Sequence, residues 1–122
     1  MPRVVHFELG AKQPEKAVEF YCRVFGWEVQ KWDGAEPYWL ITTGLNSEPG
    51  INGGIMEAGP NRSGTINTIN VPSVDDYIEK IINYGGKVIA PKMAIDQVGY
   101  LAYCEDTEGN LFGIMEMDQD AQ

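Results

Sequence analysis

The sequence has few cysteines and no long apolar run. Its two cysteines, Cys22 and Cys104, are too few and too far apart for a disulfide framework or a zinc knuckle. No segment approaches the roughly 18 apolar residues of a membrane span, and the amino-terminal stretch MPRVVHFELG has no apolar signal region. We therefore expect a cytoplasmic protein with reduced thiols and no membrane partner.

Positive charge is also scarce. The chain has 9 Lys and Arg against 18 Asp and Glu, a net charge of −9. Clustered Lys and Arg bind the phosphates of nucleic acids, so we predict no nucleic-acid partner. The charge is compatible with a cationic ligand, although many proteins carry such a charge simply to stay dispersed. What the 122 residues do have is an apolar fraction of 43%, enough for the core of one domain.

The tetrapeptide GIME occurs twice, at 54–57 and at 113–116. Before each copy the same plan appears: a strand, a helix ended by glycine, and further strand-like segments. Sliding the chain by 60 residues places Gly26 on Gly86 and Val18 on Ile78. The sequence therefore predicts one domain over 1–122, with a first βαβββ module at about 3–58, a second at about 64–117, and a short acidic C-terminal tail.

Each predicted helix has its own start and stop signals. Pro14 suits the first turn of a helix, and Gly26 suits its C-terminal end. Ser73 can cap the second helix, as in a capping box with Asp76, and Gly85-Gly86 would end it. The spacing of apolar residues predicts two core-facing stripes, one of Ala17, Val18, Tyr21, Val24 and Phe25, the other of Val74, Tyr77, Ile78, Ile81 and Ile82.

The pattern resembles the vicinal-oxygen-chelate superfamily, also called the glyoxalase/bleomycin-resistance/dioxygenase fold. The residues that carry the resemblance are His6 with Phe20-Tyr21 fourteen positions later, the helix ends at 24–27 and at Tyr84-Gly85-Gly86, and the turn EDTEGN at 105–110. Thr107 stands in that turn where the family usually has proline. The resemblance implies an α+β fold in which two tandem βαβββ modules form an incurved mixed sheet around a cavity, with the helices on the convex face.

Metal-dependent members of that superfamily hold an ion with four side chains, typically two His or Gln and two Glu. The resemblance places the four ligand positions at His6, Gly54, Ile66 and Gly113, so only His6 matches. Strand alternation puts Glu57 and Glu116 on the other face, as exposed strand-end residues. We therefore predict no metal cofactor, and keep a noncanonical divalent-metal site that includes His6 and Glu8 as an alternative.

The same alternation assigns the side chains that face the predicted cavity. His6 and Glu8, on one face of the first strand, are the candidate catalytic pair for proton transfer, or else Glu8 simply holds His6 in place. The predicted ligand-binding residues are Trp39, Gly54, Met56, Thr68, Asn70, Gly113 and Met115. The sequence leaves open whether Tyr38 or Trp39, and whether Tyr100 or Tyr103, faces the cavity.

Two functions follow from these residues. The first is a small-molecule-binding protein of the glyoxalase/bleomycin-resistance type with an incomplete metal set and a cavity near His6 and Glu8. The alternative is a lyase or isomerase of the same fold, in which His6 and Glu8 transfer a proton or belong to a noncanonical metal site. An accessory module with a filled pocket is a third interpretation. A homodimer is expected, because two-fold dimers are the commonest soluble oligomers.

Overall fold

The computed structural model describes residues 1–32, 34, 36–59 and 64–122. Its helices are α1 (Pro14–Phe25) and α2 (Val74–Asn83), and its strands are β1 (Arg3–Ala11), β2 (Glu28–Trp32), β3 (Tyr38–Thr42), β4 (Asn52–Glu57), β5 (Gly64–Asn70), β6 (Lys87–Ile95), β7 (Gly99–Glu105) and β8 (Leu111–Met117). The two GIME copies lie in β4 and β8, the last strand of each β-α-β-β-β series, as predicted. Neither described helix is long and apolar enough to cross a membrane.

Strand pairing follows the same scheme in both halves. In the first, β3 pairs antiparallel with β2 and with β4, and β1 pairs parallel with β4. In the second, β7 pairs antiparallel with β6 and with β8, and β5 pairs parallel with β8. The strand that carries GIME thus lies between the first and third strands of its own half. The predicted fold class, α+β with two tandem βαβββ modules, is confirmed.

The chain divides into two compact units. The first unit is His6–Ile66, and the second unit combines Met1–Val5 with Asn67–Gln122. The start of β1 therefore belongs to the same unit as the second half of the chain. The predicted modules, at about 3–58 and 64–117, had placed all of β1 in the first. The acidic tail belongs to the second unit, where the Gln97 N–H donates to the Ala121 carbonyl at 3.0 Å and Ala121 is fully buried.

Each helix packs against one face of the sheet in its own unit. In the first unit, Trp39, Ile41 and Ile55 are buried beneath the α1 residues Ala17, Val18 and Tyr21. In the second, the buried cluster is Val71, Val74, Ala102 and Ile114, covered by the α2 residues Tyr77, Ile78 and Ile81. The isoleucine of each GIME copy is thus a core residue, 0% and 2% exposed. Because strand side chains alternate, the glycine and methionine of each copy face away from the helix.

The buried stripe of each helix is shorter than the apolar pattern predicted. Val24, Phe25 and Ile82 are 56%, 58% and 56% exposed, so their prediction as core-facing residues was wrong. All three lie in the last turn of their helix, and the core packing stops before it. Phe25 covers part of its ring by stacking on Tyr21 and Trp27, with centroid distances of 6.0 and 5.5 Å.

Two side chains cap the start of α2. Ser73 Oγ accepts from the Asp76 N–H at 3.1 Å, as the capping-box pattern predicted. Glu116 Oε1 accepts from the Val74 N–H at 3.0 Å. Glu116 faces the helix, as strand alternation indicated, but the prediction that it is simply an exposed strand-end residue was wrong. Its half-buried carboxylate binds a backbone donor that would otherwise lack an acceptor.

Candidate functional site

His6 and Glu8 lie on the face of the first unit's sheet that is turned away from α1. Their neighbours in β1, Leu9 and Ala11, pack into the α1-covered core, and side chains of a strand alternate between faces. Glu8 is 6% exposed and His6 is half-buried. Both belong to the parallel β1–β4 ladder, where Glu8 pairs with Gly54. The two predicted catalytic residues therefore share one face of one strand.

Tyr38, rather than Trp39, occupies this face. Trp39 belongs to the buried cluster with Ile41 and Ile55, so the structure does not place this predicted ligand-binding residue in the site. Tyr38 points the other way, and a hydrogen bond of 2.8 Å joins its Oη to His6 Nε2. The sequence left open which of these two neighbours faces the site, and the structure places Tyr38 there. The Trp39 indole packs in the core instead, where it buries the larger apolar surface.

Gly54 is the residue that makes room for Tyr38. A Cβ atom built on Gly54 would overlap the Oη and Cζ atoms of Tyr38, so the phenol ring crosses β4 directly above this glycine. Gly54 was predicted as a ligand-binding residue, and its missing side chain could have left room for a ligand. The structure fills that room with the protein's own tyrosine, while Met56, another predicted ligand-binding residue, pairs with Tyr38 across the β3–β4 ladder.

The environment of His6 favours its neutral form. Desolvation by burial lowers the pKa of His6 from the ordinary value of 6.5, and the nearby charge of Glu8 opposes this by raising it. A neutral imidazole has one donor and one acceptor nitrogen, and here Nε2 is bonded to Tyr38. In the tautomer whose Nε2–H donates to Tyr38, Nδ1 is the acceptor that can take a proton from a bound molecule, and a carboxylate on the same face stabilises the resulting cation.

A cleft of about 320 Å³ adjoins His6 on this face. A volume of this size matches the lower end of small-molecule sites. The residues that line the cleft come from neighbouring strands of the same unit. They include Glu28 and Gln30 of β2, Leu40 and Thr42 of β3, and Asn52 of β4. We did not predict these residues as ligand-binding. Strand alternation would have found Asn52, because it lies two positions before Gly54.

The predicted ligand-binding residues of the second half lie together in the second unit. Thr68 pairs with Gly113, and Asn70 pairs with Met115, across the parallel β5–β8 ladder. Thr68 is 2% exposed. Asn70 Oδ1 is buried without a hydrogen-bond partner among the described residues. This face is therefore a mixed polar and apolar surface, the counterpart of the one beside Gly54.

Tyr103 is the aromatic residue on that face of the second unit. A Cβ atom on Gly113 would lie 3.5 Å from both the Tyr103 ring and Leu101. Tyr100, by contrast, packs with the core cluster beneath α2. The alternative that the sequence left open is thus decided for Tyr103, which is 9% exposed.

The side chains present do not supply the four ligands of the metal-dependent relatives. Of the four positions, Gly54 lies beneath the Tyr38 ring, Ile66 is an apolar residue 5% exposed, and Gly113 has no side chain. Within the described part of the chain, no three His, Cys, Asp or Glu side chains are grouped so that they could share an ion. The donor set therefore does not fit that metal centre.

The fold and motifs agree with a known protein family. The profile of the Glyoxalase/Bleomycin resistance protein/Dioxygenase superfamily matches residues 3–114, so the chain belongs to this superfamily. The resemblance that the motifs indicated is thereby confirmed. Membership establishes the architecture and not one activity, because one fold carries many functions.

Several solved structures share this fold. A methylmalonyl-CoA epimerase in complex with methylmalonyl-CoA and NH4+ has a TM-score of 0.75 and 15% identity, covering 100% of this chain and 99% of that chain. A variant of the Streptomyces coelicolor methylmalonyl-CoA epimerase, in complex with 2-nitronate-propionyl-CoA, has a TM-score of 0.73, 16% identity and coverages of 98% and 97%. A superfamily member from Vibrio splendidus 12B01 has a TM-score of 0.66, 17% identity and coverages of 97% and 100%. Comparison with curated protein sequences finds no match. At these identities the likeness shows the fold alone.

Proposed function

We propose that the protein binds a small organic molecule in the cleft beside His6. The observation that carries this proposal is the hydrogen bond between His6 and Tyr38 next to a cleft of about 320 Å³. The bond holds a half-buried imidazole in one orientation, and a preorganised polar group at the end of a cleft lowers the entropic cost of binding. Of the lining residues, His6 then supplies a polar contact and Leu40 an apolar one.

Asn52 adds a hydrogen-bond donor to the cleft. Its Oδ1 atom accepts from the Thr43 N–H at 2.9 Å, while the Thr43 hydroxyl donates to the Ile51 carbonyl at 2.7 Å. The bond to the Thr43 N–H orients the amide so that its Nδ2 group can donate to a ligand. A few oriented polar groups around an apolar contact are typical of sites that recognise small molecules.

A fragment screen by NMR tests this proposal. We expect fragments that bind ¹⁵N-labelled protein to shift the backbone signals of Gly53 and Asn52, and to bind about tenfold more weakly to His6→Gln, because one polar anchor is lost. Lys16→Gln, on the exposed side of α1, is the matched control and should bind as the wild type does. Shifts confined to other regions, or equal affinities for all three proteins, would contradict the proposal. Zn²⁺ and Ni²⁺ belong in the screen, because a metal-induced shift lost in His6→Gln would instead support the noncanonical metal site.

A metal-free isomerase is the second candidate function. It is favoured by the neutral character of His6 beside the buried carboxylate of Glu8, the combination that moves a proton on and off a bound molecule. In D₂O, the wild-type protein would exchange a carbon-bound proton of its ligand for deuterium. Retention of that exchange rate in both His6→Gln and Glu8→Gln would exclude this role for the pair.

We further propose a homodimer. The α1 helix exposes Phe20 and Val24 by 55% and 56%, and these residues lie one turn apart on its outer surface. Burial of such a stripe against a second copy would stabilise association. Sedimentation equilibrium at micromolar concentration would detect the dimer, and a single species of 13.6 kDa would refute it.

A further inference from the structure

The cleft beside His6 has an acidic residue in its lining and a second one buried nearby. Glu28 of β2 lines one end of it, and Glu8 is buried on the same sheet face. No Lys or Arg is among the described residues that line the cleft. His6 adds no fixed positive charge, since burial lowers its pKa. An anionic ligand would therefore meet the Glu28 carboxylate, with no Lys or Arg among the described lining residues to pair with.

The basic residues of the first unit lie elsewhere. Arg23 is on α1, where its Nε atom is 3.3 Å from Glu19. The Lys31 ammonium lies 5.5 Å from the centroid of the Trp39 ring, which belongs to the α1-covered core. The other two described basic residues are Lys12, which follows β1, and Lys16 of α1. Among the described residues of this unit, no positive charge thus lines the cleft.

Glu28 and His6 mark the two ends of one row across the sheet. Glu28 pairs with Thr42, and His6 pairs with Asn52. The pair Ile41–Gly53 places Thr42 beside Asn52, so the four residues follow one another across β2, β3, β4 and β1. With neighbouring strands about 4.8 Å apart, the Cα atoms of Glu28 and His6 are separated by about 14 Å. A ligand that contacts both ends must be extended.

We propose that the ligand of this cleft is an extended molecule, roughly 10 Å long, with a protonated amine or quaternary ammonium at the Glu28 end and a hydrogen-bonding group at the His6 end. The assignment rests on the proposed function and names its ligand class. This class differs from the ligands named in the solved epimerase complexes, methylmalonyl-CoA and 2-nitronate-propionyl-CoA, because coenzyme A is an anion at neutral pH. The net charge of −9 would add to the attraction of a cation.

Three probes with one carbon skeleton test the charge preference. Each is a para-hydroxyphenyl compound, so that a hydroxyl is present for the His6 end: the phenylbutylamine is a cation at pH 7, the phenylbutanol is neutral and the phenylbutyrate is an anion. We expect the amine to shift the NMR signals of Gly53 and Asn52 with a dissociation constant at least tenfold below that of phenylbutyrate, and the alcohol to bind between them. Glu28→Gln should weaken the amine about tenfold and leave the alcohol unchanged.

Glu15→Gln is the matched control, because it removes the same charge from the first turn of α1. It should leave the affinity for the amine unchanged. Equal loss in Glu15→Gln and Glu28→Gln would show a general effect of net charge and overturn the assignment. Binding of the amine no tighter than phenylbutyrate would overturn the ligand class while the cleft still binds small molecules. Absence of shifts at the cleft with all three probes would count against the assignment and the proposed function together.

Discussion

Gly53→Ala is expected to lower the free energy of unfolding by about 3 kcal/mol, the upper range for overpacking. Gly53 pairs with Phe7 across the parallel β1–β4 ladder. A Cβ atom on Gly53 would overlap the Phe7 carbonyl oxygen and lie 2.7 Å from the Phe7 ring. A backbone oxygen cannot rotate away, so β1 and β4 would have to separate. Urea unfolding at pH 7 measures the change.

The neighbouring glycines provide matched controls. In Gly54→Ala the atoms nearest to the added methyl would be Oη, Cζ and Cε1 of Tyr38, a side chain that can turn aside. We expect a loss of about 1 kcal/mol from the broken Tyr38–His6 hydrogen bond. In Gly59→Ala the methyl would have no atom within 4 Å, so stability should be unchanged. Equal losses for Gly53→Ala and Gly59→Ala would refute the close approach of β1 to β4.

The stability of the protein is expected to fall as the pH is lowered below about 6.5. His6 has a lowered pKa in the folded chain, whereas in the unfolded chain its pKa is near the ordinary 6.5. Between these two values the unfolded chain binds the proton and the folded chain does not, so protonation favours unfolding. The loss begins near pH 6.5, reaches at most about 1.4 kcal/mol per pH unit, and stops once the pH is below the folded pKa.

The measurement is clean because the chain has one histidine. Urea unfolding is measured between pH 7.5 and 5, which is above the ordinary pKa range of carboxylates. The change of unfolding free energy with pH then reports mainly on His6. His6→Gln should remove that slope. An NMR titration of the imidazole should also show that Glu8→Gln lowers the His6 pKa further, because the charge of Glu8 raises it. A His6 pKa at or above 6.5, or the same slope in His6→Gln, would contradict the burial of the ring.

Much of the fold could be predicted from short-range patterns. Pro14, Gly26 and Ser73 predicted helix ends because their effects depend on the local backbone alone, and the structure has α1 and α2 at those places. Alternation along β4 and β8 predicted that the glycine and methionine of each GIME copy face one side and the isoleucine the other. The buried Ile55 and Ile114 confirm that alternation. The apolar pattern failed for Val24, Phe25 and Ile82, since periodicity does not show where a sheet ceases to cover a helix.

Local patterns were enough to predict the duplicated βαβββ plan and the placing of His6 and Glu8 on one face of the first strand, because these follow from periods of a few residues, and the family resemblance added the α+β class. The tertiary structure decided what surrounds His6. Tyr38 is 32 positions away and reaches it only because β3 lies beside β4 and β4 beside β1. Glu116 caps α2 from 42 positions away by the same kind of pairing. Contacts between strands depend on register and side-chain volume across the sheet, so they arise when the strands assemble.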